Sequence, residues 1–145
     1  MSPADCTADL TILCAGTCEY LDQGVVDAAL VERVMSTNFQ GPVNCLAALQ
    51  TQLLPGSRVA LVSSMAHWLP FPRAEAYGAS KAALTWFANS LRLDWEPKGI
   101  AVTVVSPGFV DTPLPIMAIF MSEPSCVTVC AEGNWGALKA ASWPG

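Results

Sequence analysis

Arg58-Val59-Ala60-Leu61-Val62-Ser63-Ser64 is the stretch on which the fold turns. Four consecutive apolar residues without polar alternation, closed by Ser-Ser, read as a strand buried on both faces, the pattern of a parallel sheet covered by helices. Two more runs have the same character: Leu10 to Cys14, closed by Ala15-Gly16, and Ile100 to Val105, almost uniformly β-branched. Long helical patterns separate them. One starts at Val25, with apolar residues at Val26, Ala29, Leu30, Val34, Leu46, Leu49 and Leu53, and is interrupted by Gly41-Pro42. The other runs from Ala76 to Trp95 and stops before Pro97, with Gly99 just beyond. Between the second strand and the last helix lies an irregular segment with Pro70 and Pro72. Buried strands alternating with long helices imply an α/β fold, with parallel strands joined by right-handed crossovers.

Beyond Thr112 the pattern changes. Pro113, Pro115 and Pro124 break it, Cys126 to Cys130 reads as a strand, and Asn134 to Gly145 has no clear period. The chain therefore divides into a 1–112 portion and an atypical C-terminal tail, 113–145.

Of the 145 residues, 52% are hydrophobic and 13% charged, which excludes general disorder and indicates one domain with a large core. A soluble domain usually carries about 25% charged residues, so much surface must be covered by helices or by a partner. Seven basic residues against twelve acidic ones give a net charge of −5. The basic ones are scattered, so no patch exists to neutralise phosphates and no nucleic-acid partner is expected. Val34 to Ser57 lacks charge but contains Asn38, Gln40, Gly41, Pro42 and Asn44, which hydrocarbon would not accept; no membrane span is expected. Met1 to Leu10 carries Asp5 and Asp9 and no basic residue, unlike a signal peptide, so the expected location is cytoplasmic. Six cysteines include two Cys-x-x-x-Cys pairs. Zinc knuckles favour a tighter Cys-x-x-Cys, so these read as reduced, structural thiols and no metal is expected.

Tyr77 and Lys81 stand four apart near the start of the last helical pattern, so both project from one face, a turn apart. A phenol is a poor base at neutral pH, and a nearby ammonium favours its phenolate. Such a pair can exchange a proton with a substrate oxygen. Ser64 ends the strand that opens toward the ligand-binding edge of a parallel sheet, where its hydroxyl could reach the same oxygen, with Ser63 left to cap or support the loop. Pro42 has no N–H to donate to the carbonyl of Asn38, so the helix should bend there and leave that carbonyl for an ordered water, a relay from Lys81 to solvent.

Leu13-Cys14-Ala15-Gly16, Asn38-Phe39-Gln40-Gly41, Ser63-Ser64, Tyr77-Gly78-Ala79-Ser80-Lys81 and Pro107-Gly108-Phe109-Val110-Asp111-Thr112 occur in the order found in short-chain dehydrogenases/reductases. From Leu10 to Thr112 the chain resembles that family. The resemblance implies a partial Rossmann-type parallel sheet flanked by helices and an NAD or NADP cofactor. It implies hydride transfer between the nicotinamide and a small-molecule carbonyl or alcohol. It assigns Tyr77 as general acid/base, Lys81 as the residue that lowers its pKa and holds the nicotinamide ribose, Ser64 as carbonyl orienter and Asn38 as relay position. Ala15, Gly16, Pro107, Gly108, Val110 and Thr112 join Tyr77 and Lys81 as cofactor contacts.

Two departures accompany it. The family opens with a strand and a Thr-Gly-x-x-x-Gly-x-Gly turn, and no subset of the ten glycines makes that pattern. The chain begins where the family's fourth strand would be, so the expectation is a catalytic portion lacking the N-terminal glycine-rich part. Cys14 stands where the family's Asn-Ala-Gly usually has Asn. The loop Ala66-His67-Trp68-Leu69-Pro70-Phe71-Pro72 reads as a substrate wall for an apolar compound, with His67 and Trp68 foremost. Ser64, His67 and Asp111 also invite a serine-esterase reading, although no Gly-x-Ser-x-Gly is present. The other alternative is a non-catalytic module whose low-charge helices pair with a second copy, and a homo-oligomer is expected either way.

Overall fold

The computed structural model describes residues 8–108 and the strand Val127–Cys130. Its strands are β1 (Leu10–Leu13), β2 (Arg58–Val62), β3 (Ala101–Val105) and β4 (Val127–Cys130). Its helices are α1 (Ala28–Met35), α2 (Gly41–Leu49) and α3 (Glu75–Trp95). The sheet has the order β3-β2-β1-β4 and every pairing is parallel. Leu10 to Leu13 lie opposite Arg58 to Leu61 on one side and opposite Val127 to Cys130 on the other. The C-terminal tail thus contributes a strand to the same sheet as the rest of the chain.

One face of the sheet carries Leu13, Val59, Leu61 and Val102, which pack with Leu46 of α2 and Leu84, Ala88 and Trp95 of α3 into the main core. Period-two alternation puts these strand residues on one side, and the i, i+4, i+11 spacing of the α3 residues keeps them on one stripe. A smaller cluster, Leu21, Leu30, Val34 and Ala76, joins α1 to the start of α3.

The first helical pattern starts later than its apolar residues suggest. Asp27 is the N-cap, its carboxylate accepting from the amides of Ala29 and Leu30 at 2.9 and 3.1 Å, so Val25 and Val26 stay outside the helix and exposed. At Gly41-Pro42 the helix does not break. It passes through one turn of π-helix, Ser36–Gln40, in which the Gly41 amide donates to the Ser36 carbonyl, before α2 begins with Pro42 in its first turn. The widened turn accommodates the missing N–H of Pro42 and turns Asn38 inward. Helix α3 runs to Trp95 and is followed by a short 3-10 turn, Glu96–Lys98, ended by the left-handed Gly99.

Candidate active site

The C-terminal ends of β1, β2 and β3 form one edge, where the ligand sites of open parallel sheets lie. Lys81, from the second turn of α3, points into this edge and is almost wholly buried. Its Nζ donates to the carbonyl of Val62, the last residue of β2, at 3.0 Å, and lies 5.8 Å from the centre of the Tyr77 ring. Burial pulls the ammonium below the ordinary lysine range, and the electrostatic influence of Cys14 opposes that shift. Gly16 completes the approach: a Cβ there would stand 3.2 Å from Lys81 Nζ and 3.5 Å from the Asn38 amide oxygen. A side chain at this position would therefore crowd the lysine head.

Asn38 is fully buried and its side chain is committed to protein partners. Oδ1 accepts from the Thr17 amide at 2.7 Å, and Nδ2 donates to the Thr17 carbonyl at 2.8 Å and to Ser80 Oγ at 2.9 Å. Ser80 Oγ in turn donates to the Tyr77 carbonyl at 2.7 Å. The amide mimics a strand neighbour for Thr17, fixing the Cys14-to-Thr17 loop against the helix that carries Tyr77 and Lys81. Neither Thr17 nor Ser80 stands out in the sequence as a site residue. The signal for Ser80 lay inside the Tyr-Gly-Ala-Ser-Lys motif itself, whereas nothing in the sequence pairs Thr17 with a residue 21 positions on.

The two serines share the work differently from expectation. Ser63 Oγ bonds Thr85 Oγ1 at 2.7 Å and donates to the Lys81 carbonyl at 3.2 Å, so it ties β2 to α3. Ser64 takes the cap: its Oγ accepts from the Ala66 amide at 3.2 Å and starts the turn Met65–His67. An oxygen that accepts there keeps its own O–H for another acceptor. The turn leans on the beginning of α3, because Gly78 has no Cβ; one there would lie 3.1 Å from the Ala66 carbonyl. Pro107 joins the group from the other side, its carbonyl accepting from the Met65 amide at 3.1 Å.

His67 and Trp68 border a cleft of about 280 Å³ whose other walls include Phe71, Glu75, Gly78 and Ala82. Positions 75, 78 and 82 lie on one face of α3, and Tyr77 and Lys81 are on the adjacent face, roughly a third of the way round the helix. The structure thus brings Gly16, Asn38, Lys81 and Tyr77 together but gives His67 and Trp68 a cleft of their own. His67 Nδ1 donates to the carbonyl of Ser64, not to its hydroxyl. Ala15 is half-buried beside Gly16, and among the described residues nothing lies within 4 Å of where a Cβ on Gly108 would stand. Val110, Asp111 and Thr112 lie outside the described residues.

Nearby, Arg73 adopts a left-handed backbone, φ 69°, held by reciprocal bonds with Leu21: Leu21 N to Arg73 O at 2.8 Å and Arg73 Nε to Leu21 O at 3.0 Å. This clasp joins the loop after β1 to the entry of α3 and brings Tyr20 close to the site. A hydrogen bond with Cys18 is the main cause that lifts the Tyr20 hydroxyl above the ordinary phenol range; the charges of Cys18 and Tyr77 add to it and Arg73 opposes it. Cys14, Cys18 and Cys45 are free thiols. No helix among the described residues is long and apolar enough to cross a membrane.

The model of the short chain dehydrogenase family matches residues 7–118. The chain belongs to the short chain dehydrogenase family. Its relatives include the NADPH-dependent 1-acyldihydroxyacetone phosphate reductase of Schizosaccharomyces pombe, 38% identical over 88 residues, which cover 60% of this chain and 30% of that protein. The fold is similar to a short chain dehydrogenase family protein from Francisella tularensis (TM-score 0.71, 27% identity, 75% of this chain and 45% of that one). It is also similar to BdcA crystallised in complex with NADPH (TM-score 0.68, 28% identity, 74% and 45%). The short chain dehydrogenase portion seen here spans about a third of the length of the first of these and under half of the two solved structures.

Proposed function

We propose that this short chain dehydrogenase transfers a hydride between a nicotinamide cofactor, NADPH in preference to NADH, and a small-molecule carbonyl or alcohol. The observation that carries it is the buried Lys81 ammonium, held by the Val62 carbonyl one helical turn from Tyr77 at the C-terminal edge of the sheet. The NADPH preference follows the S. pombe reductase and the BdcA complex. The residues present fit the nicotinamide end of such a cofactor, because glycine at position 16 keeps the approach to Lys81 clear.

When bound, the cofactor supplies the hydride. Tyr77 hands its hydroxyl proton to the carbonyl oxygen, or removes it from an alcohol. The Lys81 charge stabilises the negative charge that gathers on the tyrosine oxygen, and two of its three N–H groups remain to bond ribose hydroxyls. The free O–H of Ser64 orients the substrate oxygen. Asn38 acts through the loop it clamps, and Ala15, Gly16, Pro107 and Gly108 would hold the cofactor, with Val110 and Thr112 assigned to it by the family resemblance alone.

The apolar cleft at His67 and Trp68 extends the substrate wall, and this chain pairs with a second copy through the exposed Trp86 and Leu93 of α3. The esterase alternative loses its support, since the His67 imidazole is engaged by a backbone carbonyl instead of Ser64 Oγ.

NADPH oxidation with a panel of aromatic and aliphatic ketones tests the reading. Wild type should turn over at least one of them and Tyr77→Phe should lose at least a hundredfold, within the range general acid–base catalysis supplies. Equal turnover in the two proteins would sink it.

A further inference from the structure

We propose that Arg73 binds substrate, and that the carbonyl or alcohol compound carries an anionic group, a carboxylate or a phosphate, which the Arg73 guanidinium holds beside Tyr77. The substrate class rests on the oxidoreductase reading above; the anion site itself does not.

The backbone at position 73 suits glycine. At φ 69° an L side chain is strained where glycine is not, and residues held in this way are concentrated at ligand clamps and active sites. Closing the loop does not require the arginine's charge. The 2.8 Å bond from Leu21 N to Arg73 O is made by the backbone alone, and Leu21 packing with Ala76 fastens the same loop to α3. Nor is the guanidinium neutralised. Among the described residues the one ion pair is Arg33 with Glu19, and neither Asp22 nor Glu75, the carboxylates nearest the clasp in sequence, pairs with Arg73.

The side chain is instead held in a fixed pose. Its Nε donates to Leu21 O at 3.0 Å, and its guanidinium carbon stands 5.8 Å from the centre of the Tyr20 ring. These two contacts set the plane of the group. Its terminal nitrogens have no hydrogen-bond partner among the described residues and form a fork whose geometry carboxylates and phosphates match.

This fork stands at the reacting end of the site. Arg73 precedes Tyr77 by four residues, and long side chains in a helix lean toward its N-terminus, so Tyr77, in the first turn of α3, overhangs the segment that Arg73 closes. After the dominant Cys18 bond and burial, charge on Tyr77 raises and Arg73 lowers the pKa of the Tyr20 hydroxyl, so the three side chains lie within electrostatic reach of one another. In a chain of net charge −5, Lys81 and Arg73 make this edge locally positive. Lys81 is buried against the Val62 carbonyl, whereas Arg73 is exposed and can meet an anion arriving from solvent.

Two matched pairs of probes separate the sources of the anion: levulinate against methyl levulinate for a carboxylate, and dihydroxyacetone phosphate against dihydroxyacetone for a phosphate. With NADPH, wild type should favour the anion of at least one pair in kcat/KM. Arg73→Gly, which suits the left-handed backbone, should reduce that preference about tenfold or more, chiefly through KM, as expected for loss of a charged hydrogen bond. A purely structural clasp predicts equal losses for both members of a pair. Circular dichroism checks the fold, and should Arg73→Gly disturb it, Arg73→Gln carries the same expectation. Turnover of ketones without preference for either anion overturns the proposal and leaves the oxidoreductase reading standing, as does a preference that the folded variant retains. Where wild type turns over none of the four compounds, isothermal titration with levulinate and with dihydroxyacetone phosphate decides. Saturable binding that the variant loses keeps the anion site and removes the oxidoreductase reading. Absence of binding at millimolar concentration, or binding indifferent to Arg73, removes the anion site as well.

Discussion

Asn38→Ala should be among the most damaging single substitutions in the described part of this chain. The side chain is fully buried and makes three hydrogen bonds, two to the Thr17 backbone and one to Ser80. Each intramolecular hydrogen bond contributes about 1 kcal/mol net, and truncation leaves the Thr17 N–H and C=O without their partners, at about 1–3 kcal/mol for each group that water cannot reach. Water can reach part of this half-buried loop, which puts the expected loss at about 3 kcal/mol. Asn38→Asp separates the hydrogen-bond account from simple loss of volume. The carboxylate keeps the size and can still accept from the Thr17 amide, but it faces the Thr17 carbonyl with an acceptor in place of a donor. It should cost as much as alanine or more. Urea unfolding followed by tryptophan fluorescence gives both values from the shift in midpoint at constant slope. If both variants unfold within about 0.5 kcal/mol of wild type, the clamp is not a source of stability. If Asn38→Asp is neutral while Asn38→Ala is not, volume and not donor chemistry is what position 38 supplies.

Two further outcomes follow from the buried polar groups. Burial lowers the folded-state pKa of Lys81, so between that value and the unfolded value of about 10.4 the unfolded chain binds more protons and stability rises with pH. Unfolding free energies measured from pH 7 to pH 10 should therefore move in favour of wild type over Lys81→Met, and a constant or shrinking advantage would contradict the burial account. Thr11 Oγ1 is buried without a hydrogen-bond partner among the described residues, so Thr11→Val should raise stability by about 1 kcal/mol in the same urea assay; destabilisation would mean that the hydroxyl has a partner.

The sheet and its helices were legible because local rules decide them. The apolar run ending in Leu61 and Val62 declares β2 and the β-branched run declares β3, although β3 is not covered on both faces as expected, Ala101 and Thr103 being exposed; the helix-forming composition from Ala76 to Trp95 declares α3. Helix α1 defied its apolar pattern because Asp27, a single capping side chain, outweighs Val25 and Val26. At Pro42 the sequence announced a disturbance, and the backbone resolved it as a π turn that buries Asn38.

What stayed illegible depends on partners distant in sequence. The sequence around Asn38 draws attention to its backbone carbonyl, but the structure uses its side-chain amide, and only the folded approach of Thr17 and Ser80 makes an amide there worth its burial. Ser63 and Ser64 are indistinguishable as neighbours in a string. The alternation of a strand sends one inward to Thr85 and leaves the other to start a turn.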